Sequence, residues 1–568
     1  MQQNDLLPRR TLRRQLNPVR YCLAVVASCA SLLAGAHAHS QSTDETTPDA
    51  TPPLPNGAEL ERRGATIGRI TFARDNVFDL SQPGEDYRLY GLANRLHVMT
   101  KEGVIRSQLL VKPGDRYDER LIEESARILR RNRYLFDASI KVSGYSDGVV
   151  DLTVWTRDVW TLVPDVSFSR TGGEDKWRVG IVENNLLGWG TRVKLTYEEN
   201  VDRDITIFEV SDQNVLRSRT ELLLQLADSS DGGTERLAIR RPFFALDTRW
   251  SAGFDIGSSD FEERFYDLGN EAAEYRQESN SYSAFGGLSS GLRSGWVKRW
   301  TAGVALDEDR FTPALDPEFP VLLPADRRLV YPFIGFEMIE DDFRTAANRD
   351  QFERTEDFLL GTRFAATLGY ASEALDSDRD SLLYWASFSR GFGKLDKNAW
   401  LVRTDVSGRV DDGRSANTLL RLNLRYYSQR TKKRLFFMSL DGAWGDELDL
   451  DNLQLLGGSS GLRGYPLRYQ SGQSRALISI EERYFTDWYP FRLFRVGFAA
   501  FADAGRTWGR NALGNESRGW LTDVGFGLRL APTRAGTREI FHIDLAFPLD
   551  GDDSIDSAQL ILEAKGSF

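Results

Sequence analysis

Apolar and polar residues alternate along the last ten residues of the chain, Gln559–Phe568. One face of the strand that they predict carries Leu560, Leu562, Ala564, Gly566 and Phe568. Ten residues match the roughly 9–11 that a tilted strand needs to cross the hydrocarbon of a bilayer. Because lipid offers no partner for the backbone amides of a lone strand, such a strand must close into a barrel with others.

Runs in which apolar and polar residues alternate recur after Val163. Clusters of Asp, Gly, Ser and Asn separate these runs, and no helix is predicted there. Examples are 192–198, 221–227, 383–389 and 419–427. At about 25 residues for each strand and its connection, residues 162–568 predict an all-β transmembrane barrel of about 16 antiparallel strands. The first of these strands is expected near 163–170.

The alternation also predicts which side chains face lipid in three strands near the end of the chain. The lipid-facing set is Val496, Phe498, Ala500, Ala502, Val524, Phe526, Leu528, Leu530, Phe541, Ile543, Leu545 and Phe547. The alternate side chains then face the lumen, and these include Asp503, Gly505, Asp523, Arg529, His542 and Asp544. Ionisable groups from three strands are therefore predicted to share one enclosed space.

A different pattern precedes the barrel. Residues 65–161 predict a strand, two helices and two more strands, at 67–72, 101–110, 118–131, 136–142 and 149–157. Asp118 is a suitable N-cap for the second helix. This order of elements predicts one small α/β domain.

The start of the chain predicts export. Arginines precede an apolar run over 21–36, and Ala36-His37-Ala38 supplies the small residues of a signal-peptidase site, so residues 1–38 predict a signal peptide. The alternative is a lipoprotein signal with lipid attached at Cys29, but the apolar run continues beyond this cysteine. Residues 39–64 are rich in Thr, Pro, Asp, Ser and Glu and predict a disordered linker.

Composition and motifs argue against several classes of function. Both cysteines, Cys22 and Cys29, lie in the predicted signal, so cleavage leaves no disulfide and no thiolate metal site. Cleavage also removes five arginines and Asp5, which changes the formal net charge from −11 to −15 and argues against a nucleic-acid partner. Gly-x-Ser-x-Gly matches at 287–291 and 457–461 have no predicted strand-to-helix turn with a histidine base. No enzyme, cofactor or metal is predicted.

A Gly-rich segment at 455–465 carries one arginine and one aromatic residue. Its Leu462-Arg463-Gly464-Tyr465 resembles the Val-Arg-Gly-Phe/Tyr motif of the BamA/TamA superfamily, in which the sixth surface loop folds back into the barrel. Residues 501–505 and 525–529 resemble two strand motifs of the same family, and residues 65–161 resemble one POTRA module. The resemblance implies four strands after the arginine motif.

An arginine enclosed in a barrel needs a carboxylate, because breaking a buried ion pair costs about 3–5 kcal/mol. Asp503 is the preferred partner of Arg463, and Asp544 is the second choice. The bond would hold the loop against the inner wall as a latch. The predicted latch comprises Leu462, Arg463, Gly464, Tyr465, Asp503, Gly505, Arg529 and Asp544.

The resemblance implies an outer-membrane protein that helps other polypeptides enter or cross that membrane, with its POTRA module in the periplasm. The implied partners are the lipid bilayer, unfolded client polypeptides and periplasmic helper proteins. A weak seam is expected between the first strand and the last strand, which contains Leu560, Leu562, Gly566 and Phe568. The alternatives are a secretion pore of the two-partner type and a passive porin or structural barrel.

Overall fold

The computed structural model describes residues 54–314, 321–551 and 555–568. The predicted signal peptide, residues 1–38, and residues 39–53 of the predicted linker lie outside the described residues. The remainder of that linker corrects the prediction, because helix α1 spans Gly57–Arg62. Asn56 caps this helix by accepting a hydrogen bond from the Glu59 amide at 2.9 Å, and Leu60 is fully buried. One apolar anchor and a side-chain cap are therefore enough to order this polar segment.

An α/β module follows α1. Its elements are β1 Thr66–Asp75, α2 Arg88–Leu96, α3 Glu102–Gln108, α4 Glu119–Arg130, β2 Leu135–Ser146 and β3 Val149–Asp158. The strand order is β1-β3-β2, with β1 parallel and β2 antiparallel to β3. As predicted, the Asp118 side chain caps α4 by accepting a hydrogen bond from the Leu121 amide at 3.0 Å. Helix α2 was not predicted.

The rest of the described chain forms a closed antiparallel barrel. Strands β4 Leu162–Pro164 and β5 Ser167–Thr171 share one position in the wall, because both pair with the next strand. The remaining strands are β6 Glu174–Glu183, β7 Arg192–Glu199, β8 Asp204–Val215, β9 Thr220–Ser229, β10 Gly232–Arg241, β11 Trp250–Asp267, β12 Asn270–Arg293, β13 Trp296–Thr312, β14 Arg327–Glu340, β15 Phe343–Ala346, β16 Glu356–Leu359, β17 Arg363–Ala371, β18 Ser381–Gly393, β19 Asn398–Asp411, β20 Arg414–Thr431, β21 Arg434–Asp446, β22 Gln454–Leu456, β23 Gln470–Gly472, β24 Ser474–Phe485, β25 Phe494–Trp508, β26 Leu521–Pro532, β27 Ile540–Pro548 and β28 Gln559–Lys565. Two pairs, β15 with β16 and β22 with β23, stand apart from the wall.

The closed barrel is confirmed, but the predicted strand number is wrong. The described residues form a wall of 20 strands instead of about 16. The prediction allowed about 25 residues for each strand and connection, whereas several connections are tight turns, such as 172–173, 230–231 and 294–295. Five wall strands, β24–β28, follow the arginine motif in the described chain instead of the expected four.

The side chains of the wall alternate between the outer surface and the interior. In β25, Phe498 is exposed on the outside while Phe501 and Asp503 are buried inside. One predicted lipid-facing residue differs, because Val496, at the start of β25, is fully buried. Phe568, predicted on the same strand face as Leu560 and Leu562, leaves the plane of the wall and is only 2% exposed. Among the described residues, no helix combines the length and the apolar character needed to span a membrane.

The two ends of the barrel differ in their neighbours. Turns 184–191, 242–249, 486–493 and 533–539 lie at the end that contacts the α/β module, here called the near end. The opposite end, here called the far end, carries turns 200–203, 268–269 and 509–520. One segment enters the lumen from each end. Residues 447–473, the latch loop, enter from the far end, and residues 341–362, the inner hairpin, enter from the near end.

Candidate functional site: the latch loop, the inner hairpin and the strand seam

The latch loop connects β21 to β24 and folds into the lumen. Its apolar side chains form a buried cluster of Leu456, Leu462, Tyr465 and Tyr469 with Leu521 of β26. Glycines permit the close fit. A Cβ atom on Gly461 would lie 2.1 Å from the Leu477 side chain, and φ at Gly461 is +98°, which favours glycine.

Arg463 is the centre of the buried charges. Its Nε and Nη2 atoms donate to the two carboxylate oxygens of Asp503 at 2.7 and 2.9 Å. Its Nη1 atom donates to Glu481 Oε1 at 2.9 Å and lies 3.6 Å from Asp544 Oδ2. The guanidinium carbon also lies 3.4 Å from the centroid of the Phe501 ring. The structure therefore brings together Arg463, its preferred partner Asp503 and the second choice Asp544.

The two residues after Arg463 are bound to β26 and to the loop after β27. The Gly464 amide donates to Asp523 Oδ2 at 3.0 Å, and a Cβ atom on Gly464 would lie 2.8 Å from the Asp523 Cβ. The Tyr465 hydroxyl donates to the carbonyl oxygens of Thr522 and Asp550 at 2.8 and 3.0 Å. Gly505 lies under the loop, since a Cβ atom there would be 3.1 Å from the Leu456 side chain.

Two further arginines complete the network. Arg529 of β26 donates to Asp544 of β27 and is fully buried. Arg483 of β24 donates to Glu481 Oε2 at 2.8 Å. Buried charges are tolerated only when they are paired and hydrogen-bonded. Asp503, Glu481 and Asp544 satisfy that condition, and with Asp523, which accepts from the Gly464 amide, they join the latch loop to β24, β25, β26 and β27.

Sequence reasoning missed Glu481, Arg483 and Asp523 as members of the site. The first two alternate with Ile478 and Ile480 along β24, so the same period-two argument that was applied to β25–β27 would have turned them inward. Asp523 was predicted to face the lumen, but no partner was proposed for it. Its partner is the backbone of Gly464, and backbone partners leave no signal in the sequence.

The seam joins β28 to the first strand of the wall. Its ladder contains a single residue pair, Leu562 with Arg170. On its other side, β28 pairs with β27 along the whole of Ile540–Ala546. Leu560 is 47% exposed on the outer surface, and a Cβ atom on Gly566 would have no neighbour within 4 Å. Leu560 and Leu562 thus lie in a strand that is sparsely paired on one side, whereas Gly566 and Phe568 follow the end of β28.

After β28 the chain turns into the lumen. The Phe568 amide donates to the Asp350 carbonyl oxygen at 2.8 Å, and Gln351 Nε2 donates to the Gly566 carbonyl oxygen at 2.6 Å. The Phe568 ring packs against Phe352 and Phe485, with centroid distances of 5.3 and 4.7 Å. Residues of the inner hairpin therefore hold the chain after β28 away from the wall.

The inner hairpin also contacts the α/β module. Arg130 of α4 donates to both carboxylate oxygens of Asp357 at 2.8 and 2.5 Å. Arg354 Nη2 donates to the Leu135 carbonyl oxygen of β2 at 2.8 Å. One short segment thus joins the module to the residues that follow β28.

A buried carboxyl organises the tip of the inner hairpin. Glu356 accepts hydrogen bonds from the backbone amides of Arg349 and Asp350, both at 2.9 Å. Burial raises the pKa of Glu356 to about 7, and the nearby Asp350 carboxylate adds to the shift. The inner hairpin therefore contains a group that titrates near neutral pH.

Comparisons with known proteins bear on both parts of the chain. Residues 97–155 match the POTRA family model, described as a surface antigen variable number repeat. No curated protein matches the chain. This match confirms the predicted POTRA resemblance over the segment that contains α3, α4, β2 and most of β3.

Solved structures similar to the chain include three barrels. BamA from Haemophilus ducreyi lacking POTRA domains 1–3 is 12% identical, with 88% of this chain and 83% of that chain covered and a TM-score of 0.37. CdiB from Acinetobacter baumannii is 12% identical, with 88% and 73% covered and a TM-score of 0.44. CdiB from Escherichia coli is 14% identical, with 87% and 75% covered and a TM-score of 0.47. The fold assignment accordingly depends on the strand pairing of this chain and on its POTRA segment.

Proposed function

We propose that this chain is an outer-membrane protein that inserts client polypeptides into that membrane or passes them across it. The observation that carries the proposal is the single residue pair of the seam, Leu562 with Arg170. A backbone hydrogen bond contributes about 0.5–1.5 kcal/mol to stability, so a seam with so short a ladder opens at lower cost than its neighbours. The exposed strand edges would then be free to pair with a client strand.

The outer surface of the barrel supports a membrane location. Large apolar side chains are exposed on it, including Trp300 at 55%, Ile334 at 52% and Leu368 at 52%. Exposure of such side chains to water costs about 25 cal/mol for each Å² of apolar surface, whereas lipid accepts them. Away from the seam, continuous antiparallel ladders pair the wall strands with their neighbours, as a membrane requires.

The α/β module supports a role in receiving clients. Strand β2 is the outer strand of its sheet, and no strand among the described residues pairs with the free edge of β2. The start of this edge is occupied by the inner hairpin through the bond from Arg354 to Leu135. The later part, near 140–145, remains available for an extended client to add as a further strand.

Locking the seam tests the proposal. In a chain whose Cys22 and Cys29 are replaced by Ser, the pair Arg170→Cys and Leu562→Cys introduces two thiols at directly opposed positions. With the purified protein in liposomes, the measured quantity is the folding rate of a urea-unfolded eight-stranded barrel. We expect oxidation to abolish the acceleration of folding and dithiothreitol to restore it.

A matched control places the disulfide within the continuous wall. Leu528→Cys and Ile543→Cys face each other across β26 and β27. Oxidation of this pair should leave the client folding rate unchanged, because the seam remains free to open. Full activity of the oxidised seam variant would contradict the proposal.

A two-partner-type secretion pore is the second candidate within transport. It is favoured by the latch loop and the inner hairpin, since a lumen entered from both ends suits a gated passage better than a passive porin. A client passed through the lumen would become protease-protected inside the liposome, whereas an inserted client would not. High conductance of the purified protein in planar bilayers at rest would instead favour the passive porin.

A further inference from the structure

Helix α2, Arg88–Leu96, exposes an apolar stripe. Leu89, Leu92 and Leu96 are 69%, 46% and 65% exposed. Their spacing of three and four residues places them on one face of the helix. Tyr87 and Val98, at the two ends of the helix, add further exposed apolar surface at 59% and 49%. Scattered apolar residues are ordinary on a protein surface, but a contiguous stripe marks a contact surface.

The opposite face of α2 is firmly packed. Tyr90 is buried and its ring stacks on Phe78 with a centroid distance of 4.1 Å. Asn94 exchanges two hydrogen bonds with the backbone of Phe78, at 2.8 and 3.1 Å. The leucines are therefore exposed on a helix whose orientation is already fixed.

Helix α2 is also attached to the near end of the barrel wall. The Tyr90 hydroxyl donates to the Phe491 carbonyl oxygen at 2.5 Å. Arg534, in the turn between β26 and β27, donates to the Val77 carbonyl oxygen at 2.7 Å. Phe491 and Trp488, in the turn between β24 and β25, are 58% and 60% exposed. Aromatic residues in this position are typical of the girdle where a barrel leaves the hydrocarbon.

Two unpaired cations lie beside the leucine stripe. Arg88 and Arg95 are exposed, seven residues apart and so on one side of the helix. Neither forms an ion pair with any residue that the structure describes. An apolar face with arginines along its border is the pattern of a helix that lies in the plane of a membrane surface.

We propose that α2 lies in the bilayer leaflet at the near end of the barrel. Leu89, Leu92 and Leu96 contact acyl chains, and Arg88 and Arg95 contact the phosphates of lipid headgroups. The turn that binds α2 connects β24 to β25, and the turn that binds the segment before α2 connects β26 to β27, so the contact lies beside the strands that lead to the seam. The inference depends on the proposed membrane location of the barrel but not on any client.

Site-directed fluorescence tests the proposal. In the chain lacking Cys22 and Cys29, Leu92→Cys is labelled with bimane and the protein is inserted into vesicles of phosphatidylcholine and phosphatidylglycerol. Lipids with a spin label near the headgroup or along the acyl chain serve as quenchers. We expect the acyl-chain label to lower the bimane fluorescence at Leu92→Cys about twofold.

Lys112→Cys is the matched control, because Lys112 is exposed in the same module near Ile67, at the end of the sheet away from the barrel. Bimane there should not be quenched. Leu89→Cys should reproduce the result of Leu92→Cys, which excludes a defect of one variant. Arg88→Glu with Arg95→Glu should weaken the quenching at Leu92→Cys in the anionic vesicles.

Two outcomes would overturn the inference. One is the absence of quenching at both Leu89→Cys and Leu92→Cys in protein whose barrel migrates as the folded, heat-modifiable form. The other is a bimane label that the lipid quenchers do not reach and whose fluorescence changes only when a client is added. This result would make the leucine stripe a client site. Failure of the barrel to insert at all would instead contradict the proposed membrane function.

Discussion

The latch loop and the inner hairpin enter the same lumen from opposite ends, but different contacts hold them. The charged contacts of the latch loop centre on one buried cation, Arg463, which is surrounded by Asp503, Glu481 and Asp544. No described cation of the inner hairpin is surrounded by carboxylates in this way, and its buried carboxyl, Glu356, accepts hydrogen bonds from backbone amides of the hairpin itself. The contacts of the inner hairpin are divided among the α/β module, the near-end turns and the residues that follow β28.

This difference separates two mechanical roles. Buried charge networks are stable when complete and costly when one partner is lost, so the latch loop is an all-or-none element. Distributed contacts can break one at a time, so the inner hairpin can move away from the module or from Phe568 separately. Four changes test this comparison.

The largest expected effect is that of Arg463→Ala. Removing the guanidinium leaves Asp503 without its bidentate partner and removes one partner of Glu481. We expect the free energy of unfolding to fall by about 3–5 kcal/mol, measured from the folded fraction on gels against urea concentration. Arg310→Ala, at a wall arginine that is 61% exposed, should change it by less than about 1 kcal/mol. Equal effects of the two substitutions would argue against Arg463 as the centre of the contacts that hold the latch loop.

Phe568→Ala should have the next largest effect. The ring is buried between Phe352 and Phe485, and its removal leaves a cavity beside the inner hairpin. We expect a loss of about 3 kcal/mol and faster protease cleavage within 347–355. Phe526→Ala, at a ring 58% exposed on the outer surface, should leave the cleavage rate unchanged. Slow cleavage in both variants would show that Phe568 does not hold the inner hairpin.

Asp357→Asn tests the contact between the inner hairpin and the module. It weakens a bidentate ion pair with Arg130 whose side chains are 12% and 20% exposed. We expect a coupling energy of about 1 kcal/mol in a double-mutant cycle with Arg130→Gln. The exposed pair of Glu102 and Arg106 is the control and should couple by about 0.3–0.5 kcal/mol. A coupling energy no greater than that of the control would show that the Arg130–Asp357 pair does not join the inner hairpin to the module.

The smallest expected effect is a pH dependence at Glu356. Burial raises its pKa to about 7 in the folded state, so the folded inner hairpin binds the proton more tightly than the unfolded chain does. Its stability is therefore highest at low pH and decreases as the pH rises from about 4.5 to about 7. Cleavage within 347–355 should be faster at pH 8 than at pH 5.5, and Glu356→Gln should reduce this difference. An unchanged difference in the variant would assign it to another group.

The sequence predicted the parts of the site in which side-chain chemistry and period-two alternation coincide. Arg463 and Asp503 are such a pair, because a guanidinium in an enclosed space requires a carboxylate on an inward-facing position. The closed barrel followed from the same alternation. The strand number did not follow, because tight turns and long connections are not distinguished by the period of the strands that they join.

Other elements left no usable signal. The inner hairpin interrupts the period-two pattern between β14 and β17, and its contacts with Leu135 and Gly566 use backbone atoms. Helix α2 has a leucine spacing that could have been recognised, yet its apolar face does not enter the core of the module. A search for buried faces therefore overlooks it.

The strand lengths also determine how great a bilayer thickness each part of the wall could span. Strand β12 has 24 residues and spans roughly 80 Å, whereas β28 has 7 residues and spans roughly 24 Å. At a tilt of about 45°, the shorter strand covers about 17 Å of a hydrocarbon layer that is about 30 Å thick. In the proposed membrane location, lipids beside β28 would therefore have to compress, and this hydrophobic mismatch would thin the bilayer locally at the seam.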